Sequence, residues 1–167
     1  MTQTLLENWK NRKPNTQKEN LKLIKLLSLR KNKHTIDEQA QQLHQQAFEK
    51  INCLQCANCC QSIPPIVTPS DTTRIARHLG IKPTKFETQY LTTDTDGDTV
   101  MKTTPCVFLE PNTNQCQIYD VRPKACRQFP HTDTYDFAKN LQLHTQNANI
   151  CPAVFHILEC FKTIKTP

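Results

Sequence analysis

Cys53-Leu54-Gln55-Cys56-Ala57-Asn58-Cys59-Cys60 is the stretch on which the reading of this chain turns. Two residues between cysteines bring both sulfurs to the same side of a turn, within reach of one ion. Repeating that spacing gives three convergent sulfurs, the pattern of Cys-x2-Cys-x2-Cys iron–sulfur runs. If the segment is helical instead, each residue turns about 100°, and the four side chains still share about a third of the circumference. Four soft donors in eight residues make a poor core segment unless something binds them. Cys59 and Cys60 are neighbours, and neighbouring side chains diverge. That favours two sites, or one site with a thiol left for redox chemistry.

The remaining cysteines fit as completing ligands. Cys106 and Cys116 stand at the ends of a predicted hairpin, Cys106-Val107-Phe108-Leu109 with Cys116-Gln117-Ile118-Tyr119, around Pro111-Asn112-Thr113-Asn114. Cys126 lies between Arg122-Pro123-Lys124-Ala125 and Arg127-Gln128-Phe129-Pro130, and Cys151 precedes Pro152. Four thiolates on a divalent ion leave two surplus negative charges, which Arg122 and Arg127 would offset. Cys160 reads as a packed helical residue, with His156 one turn before it. The histidines show no ligand spacing such as His-x3-His.

Composition limits the alternatives. The chain has 167 residues, nine of them cysteine and only two glycine, Gly80 and Gly97. No Gly-x-Gly, Gly-Lys-Ser/Thr or Gly-x-Ser-x-Gly occurs, so Walker loops, dinucleotide fingerprints and nucleophile elbows are absent. Hydrophobic residues make up 37%, low for a globular chain, so something besides apolar burial is expected to hold the fold. Met1 to Lys10 lacks a signal-peptide core. Leu21 to Leu29, the richest apolar window, is broken by Lys22, Lys25 and Ser28, so no transmembrane segment is expected. A cytoplasmic protein follows as the expectation. In a reducing compartment, an odd number of cysteines points to metal ligation or redox chemistry rather than disulfides.

The element signals describe a small, helix-rich α+β chain with short β-hairpins and irregular metal-binding cysteine loops. Thr16-Gln17-Lys18-Glu19 and Thr35-Ile36-Asp37-Glu38 read as capping boxes opening two helices, paired as a hairpin. Thr68-Pro69-Ser70-Asp71 opens a third helix, which stops at Gly80, and Pro83 opens a fourth with Phe86. Asp96-Gly97 predicts a tight hairpin turn. Asp120 is placed to cap a short turn entered at Pro123, and a closing helix after Pro152 carries Val154, Phe155, Ile157, Leu158 and Phe161. Asp94-Thr95-Asp96-Gly97-Asp98 fails as a calcium loop, with Thr99 and Pro105 at its sixth and twelfth positions. The expected division is a basic N-terminal helical hairpin over 1–48 and a cysteine-cluster metal-binding domain over 49–167. Through Lys50 there are ten Lys/Arg against five Asp/Glu; the rest holds eleven against ten. That basic face is placed for a protein partner. Glutamines dilute it through the second helix, which argues against nucleic acid.

The ordered set Cys53-x2-Cys56-x2-Cys59-Cys60, Cys106-x-Phe108-Leu109, Cys116-x-Ile118-Tyr119, Arg122-Pro123-x2-Cys126-Arg127-x-Phe129-Pro130 and Cys151-Pro152 resembles the bacterial CxxCxxCC family. Its members are known as YkgJ-like cysteine-cluster proteins, or zinc- or iron-chelating domains. The resemblance covers roughly residues 50 to 155. It implies eight metal-ligating cysteines: Cys53, Cys56, Cys59, Cys60, Cys106, Cys116, Cys126 and Cys151. Cys160 falls outside the pattern.

Two site models follow. In one, a [4Fe–4S] iron–sulfur cluster takes Cys53, Cys56 and one of Cys59 or Cys60, with Cys126 or Cys151 as fourth ligand. In the other, eight thiolates form two closed zinc (Zn2+) sites. A thiol–disulfide redox protein using Cys59, Cys60 or Cys126 is one alternative; a zinc-stabilised interaction module presenting the basic helices is another. No catalytic pair is assignable from these residues.

Overall fold

A computed structural model describes residues 2–164. In chain order the helices and strands are α1 (Thr2–Arg12), α2 (Gln17–Leu29), α3 (Lys33–Phe48), α4 (Cys53–Cys56), α5 (Asn58–Ser62), α6 (Pro69–His78), α7 (Pro83–Tyr90), β1 (Leu91–Thr93), β2 (Thr99–Met101), α8 (Lys124–Gln128), α9 (Leu141–Asn147) and α10 (Pro152–Thr163). The chain is helix-rich α+β, as its pattern predicts. It divides into two compact units: residues through Cys56 together with those from Pro130 onward, and Ala57–Phe129. Among the described residues, no helix is long and apolar enough to cross a membrane.

The first unit is built around α10, where Pro152 occupies the first helical position and seven residues from Pro152 to Phe161 are buried. A helix apolar over so much of its circumference must be covered by others. α1 and α3 pack on it, and α2 packs on α9 and α10. Leu23, Leu27, Ile36, Ala40 and Ala47 therefore share one core with Phe137, Ile157, Leu158 and Phe161. The units thus do not follow the division expected at residue 48: the apolar stripes of α2 and α3 are completed by helices from the far end of the chain. Trp9 is buried in this core, and its Nε1–H donates to the Ala148 carbonyl at 2.8 Å. Lys162 bridges Glu19 at 2.9 Å and Glu159, which also meets Arg12 at 2.6 Å.

Neither of the two expected capping boxes forms. Thr16 makes no side-chain cap; its hydroxyl donates back to the Lys13 carbonyl, and Glu19 is turned toward Lys162. α3 starts before Thr35, with Asn32 Oδ1 accepting from the Thr35 N–H as its cap. Asn32 was hidden inside Lys31-Asn32-Lys33, which reads as a connector.

In the second unit the Thr68–Asp71 capping box is complete and Pro69 opens α6. Gly80, at φ +66°, follows the end of that helix in the left-handed region. α7 buries Phe86 against Phe108 and Tyr90. β1 and β2 pair antiparallel with Leu91 opposite Met101 and Thr93 opposite Thr99, and Gly97 takes φ +88° in the turn. Ile66 and Val67 lie alongside β2 through the Val67 N–H to Thr99 carbonyl bond of 2.8 Å. Val67, Ile75, Phe86, Met101, Phe108 and Ile118 form this unit's core.

His144 is fully buried in the first unit, stacked on Phe137 at 4.1 Å. Neither ring nitrogen makes a well-formed hydrogen bond. Burial first, and then the charge of His131, pulls its pKa down to about 4; the Phe137 carbonyl offsets this only in part. The unfolded chain therefore takes up this proton first, and the folded state loses stability as pH falls from about 6.5 toward 4. His144→Phe is expected to flatten that part of the stability–pH curve by about 2–3 kcal/mol in urea melts followed by circular dichroism. A second expectation concerns Trp9. Trp9→Ala should cost about 3–5 kcal/mol by thermal or urea melting, since it removes both ring packing and the indole hydrogen bond.

Candidate metal centre

The cysteine run is split by local backbone geometry. α4 carries Cys53 and Cys56, one turn apart. Ala57 then takes φ +49° in the left-handed region, and α5 carries Cys59 and Cys60. A left-handed alanine costs about 1–2 kcal/mol, so the break is imposed by the surroundings rather than by local preference.

In the second unit, Cys60 is held to Cys106 by the backbone, the Cys106 N–H donating to the Cys60 carbonyl at 2.8 Å. Cys116 lies in a single bridge with Leu109, flanked by the Gln117 N–H to Phe108 carbonyl bond of 2.9 Å. This is a correction to the predicted second hairpin: one bridge forms instead of two strands, because Cys106-Val107-Phe108-Leu109 bends into a turn closed by the Leu109 N–H on the Cys106 carbonyl. Cys126 sits on α8.

Cys60 acts on the other three thiols of this unit, and Cys116 on two of them. Cys60 and Cys116 each act to raise Cys106, after burial, which is the largest influence. Burial likewise pushes Cys126 up to about 12, with Cys60, Cys106 and Cys116 all adding to it. Cys116 is raised by burial and by Cys60. Cys60 itself is raised most by a hydrogen bond with the Cys59 thiol, then by burial. Thiols that oppose each other's ionisation in this way form a set that a cation would convert to thiolates together.

Backbone donors already point at the sulfurs. The Phe108 N–H reaches Cys106, and the Ile118 N–H reaches Cys116, each two residues on. In the first unit Cys151 stands at the N-cap position of α10, where the Val154 and Ala153 N–H groups favour its charged form. Such donors favour the charged form of a sulfur ligand. Cys151 is pushed up to about 12 by burial above all, with Cys53 and Cys56 adding to it. Cys53, Cys56 and Cys151 are therefore brought together in the first unit. As they stand, no three His, Cys, Asp or Glu side chains among the described residues are close enough to hold an ion; the thiols are neighbours that a bound ion would have to draw inward.

The arginines divide. Arg122 lies over the Tyr119 ring at 3.9 Å, and its charge favours ionisation of Cys116 and Cys126, as expected. Arg127 instead donates to the Arg122 carbonyl at 2.7 Å. Asp71 is the positioning residue that the spacing of the cysteines did not reveal. It is 1% exposed; one carboxylate oxygen accepts from Thr68, the other from Arg74 and from the Lys124 N–H at 3.0 Å. Arg74 continues to the Arg122 carbonyl at 2.9 Å. α6 thus fixes the start of α8, and with it Cys126, where Asp120 had been expected as the cap. The capping box gave Asp71 away as a helix starter, not as the clamp on a cysteine loop.

Cys160 lies 3.8 Å from His156 Nε2 on the same face of α10, and the charges that act on it are those of Lys50 and Glu159.

The model of the CxxCxxCC family, described as "Putative zinc- or iron-chelating domain", matches residues 52–152. The chain belongs to this family. All eight cysteines of the two sets and of Cys59 lie inside the CxxCxxCC match, and Cys160 lies outside it. The chain is also 32% identical over 88 residues to the uncharacterized protein MJ0661 of Methanocaldococcus jannaschii, covering 48% of this chain and 44% of that protein. The chain thus spans less than half the length of that relative. No solved structure matches at comparable significance.

The clamp is open to measurement. Burial would lift the Asp71 carboxyl, but its bonds to Thr68, Arg74 and Lys124 outweigh burial and hold it below the usual carboxylate range. Its stabilisation is therefore fully present above about pH 4 and is lost as pH falls through the lowered value. Asp71→Ala is expected to cost about 3 kcal/mol at pH 7, with the mutant and parent melting curves converging toward pH 2.

Proposed function

We propose that the chain chelates metal on two separate sets of thiols, one comprising Cys60, Cys106, Cys116 and Cys126, the other including Cys53, Cys56 and Cys151. Cys59 is the eighth family ligand. The observation that carries this reading is that Cys60 opposes the ionisation of Cys106, Cys116 and Cys126, while the backbone ties Cys60 directly to Cys106. Thiolate donors suit zinc and iron alike, and the family's description names the same two metals. Four cysteines fill a tetrahedral shell, so that set supports holding an ion rather than exposing it to a substrate.

The donor chemistry fits such an ion. Backbone N–H groups from Phe108, Ile118, Ala153 and Val154 reach ligand sulfurs, and Arg122 supplies positive charge beside Cys116 and Cys126. A thiol–disulfide role is less well supported: the shifts at Cys60, Cys126 and Cys151 are upward, away from a reactive thiolate.

The deciding experiment is elemental analysis with an optical spectrum on protein produced with iron and purified without oxygen. Metal should exceed one equivalent per chain. Cys126→Ser should remove the share held by the Ala57–Phe129 set and Cys151→Ser the other, with the double variant retaining almost none. Colour with acid-labile sulfide identifies an iron–sulfur cluster, colour without it mononuclear iron, and colourless protein with zinc a closed zinc site. Cooperative folding of the parent protein without metal overturns the proposal; loss of all metal in either single variant overturns its two-set form.

A further inference from the structure

α2 turns one face into the core and leaves another uncovered. Leu21, Leu26 and Leu29 are 57%, 64% and 72% exposed, although the same helix buries Leu23 and Leu27. Single exposed leucines are ordinary; Leu26 and Leu29 together border a concavity, which makes them a patch. Leu23, Leu26, Leu27, Leu29, Phe161 and Ile164 line a groove of about 610 Å³ between α2 and the end of α10, within the first unit. The α2 residues recur at helical spacing from Glu19 to Arg30, so the groove follows that helix for about 16 Å, or three turns.

Its charge is one-sided. Lys22 and Arg30 border the leucines, with exposed Lys18 and Lys25 on the same helix. The acidic groups nearby are already engaged: Glu19 with Lys162, and Glu159 with Lys162 and Arg12. The chain as a whole carries +6, so a second copy would bring like charge to the same place.

We propose that this groove is a docking site for an acidic amphipathic helix of a partner protein. Leucine-like anchors at i, i+3 or i+4 and i+7 would pack on the exposed Leu26 and Leu29, and flanking Asp or Glu would meet Lys22 and Arg30. Apolar anchors supply affinity, while the charges supply choice of partner and a salt-sensitive association rate. No cysteine lines the groove, so this binding stands independently of the metal reading.

The test uses the full-length protein and two fluorescent helical peptides with identical leucine spacing, one carrying glutamate and the other lysine at the remaining positions. Anisotropy should show saturable binding of the glutamate peptide, weakening as salt is raised, and at least tenfold weaker binding of the lysine peptide. Leu26→Glu with Leu29→Glu should abolish it, and Lys22→Glu with Arg30→Glu should weaken it at least tenfold; both pairs lie on the surface, and unchanged melting temperatures confirm intact folding. Equal binding of both peptides, or none, overturns the proposal. So does preferential binding to phosphatidylglycerol vesicles over the glutamate peptide, or a dimer in light scattering that the leucine substitutions dissolve.

Discussion

Neighbouring thiols in a partly buried pocket cannot all ionise without a cation among them, and that electrostatic constraint governs the Ala57–Phe129 unit. Cys60, Cys106, Cys116 and Cys126 come from four separate places in the chain, and each is placed by its own piece of backbone: α5, the turn after Cys106, a single bridge at Cys116, and α8. The N–H groups of Phe108 and Ile118 favour the charged form of Cys106 and Cys116. What the polypeptide lacks is compensation for bringing four negative charges together. Arg122 provides part of it, and a divalent or trivalent ion is the chemically matched remainder.

The placement of Cys126 shows how far from the sulfurs such an arrangement reaches. α8 has only five residues and no side-chain cap of its own, so it cannot hold its position by helix energetics. Asp71 does this instead, using one carboxylate to start α6, to bind Arg74 and to receive the Lys124 N–H. A buried carboxylate is tolerable only when its lone pairs are fully used, and here they are. The same group that begins one helix therefore fixes a cysteine loop more than fifty residues later.

Much of this was legible in the sequence where the signal is local. The Thr68 box, the Pro83 and Pro152 helix starts and the Asp96-Gly97 turn depend on a few adjacent residues, and they form as read. The Thr16 box carries equally good local chemistry and fails, because Lys162 competes for Glu19. No pattern in the first fifty residues discloses a partner at position 162. The cysteine run was likewise legible as a metal-type motif. Its break at Ala57 was not, since alanine gives no hint of a left-handed backbone. Adjacent Cys59 and Cys60 read as two sites, or as one site with a thiol left over, because neighbouring side chains diverge.

The two units also differ in how much they can rely on apolar burial. Among the described residues, the core of the first unit joins seventeen buried apolar side chains, including Trp9, three phenylalanines and most of α10. The core of Ala57–Phe129 joins eight, and its only sheet is a pair of three-residue strands. Side-chain burial contributes about 1.5–3 kcal/mol for each large residue, so a core half the size leaves a unit of comparable length short of cohesion. Small folds in that position depend on staples, whether disulfides or metal–thiolate bonds. The unit poorer in apolar contacts is also the one that holds five of the nine cysteines. Ligation there would thus be part of what keeps the segment folded, whereas in the first unit α10 would remain covered whether or not an ion is bound.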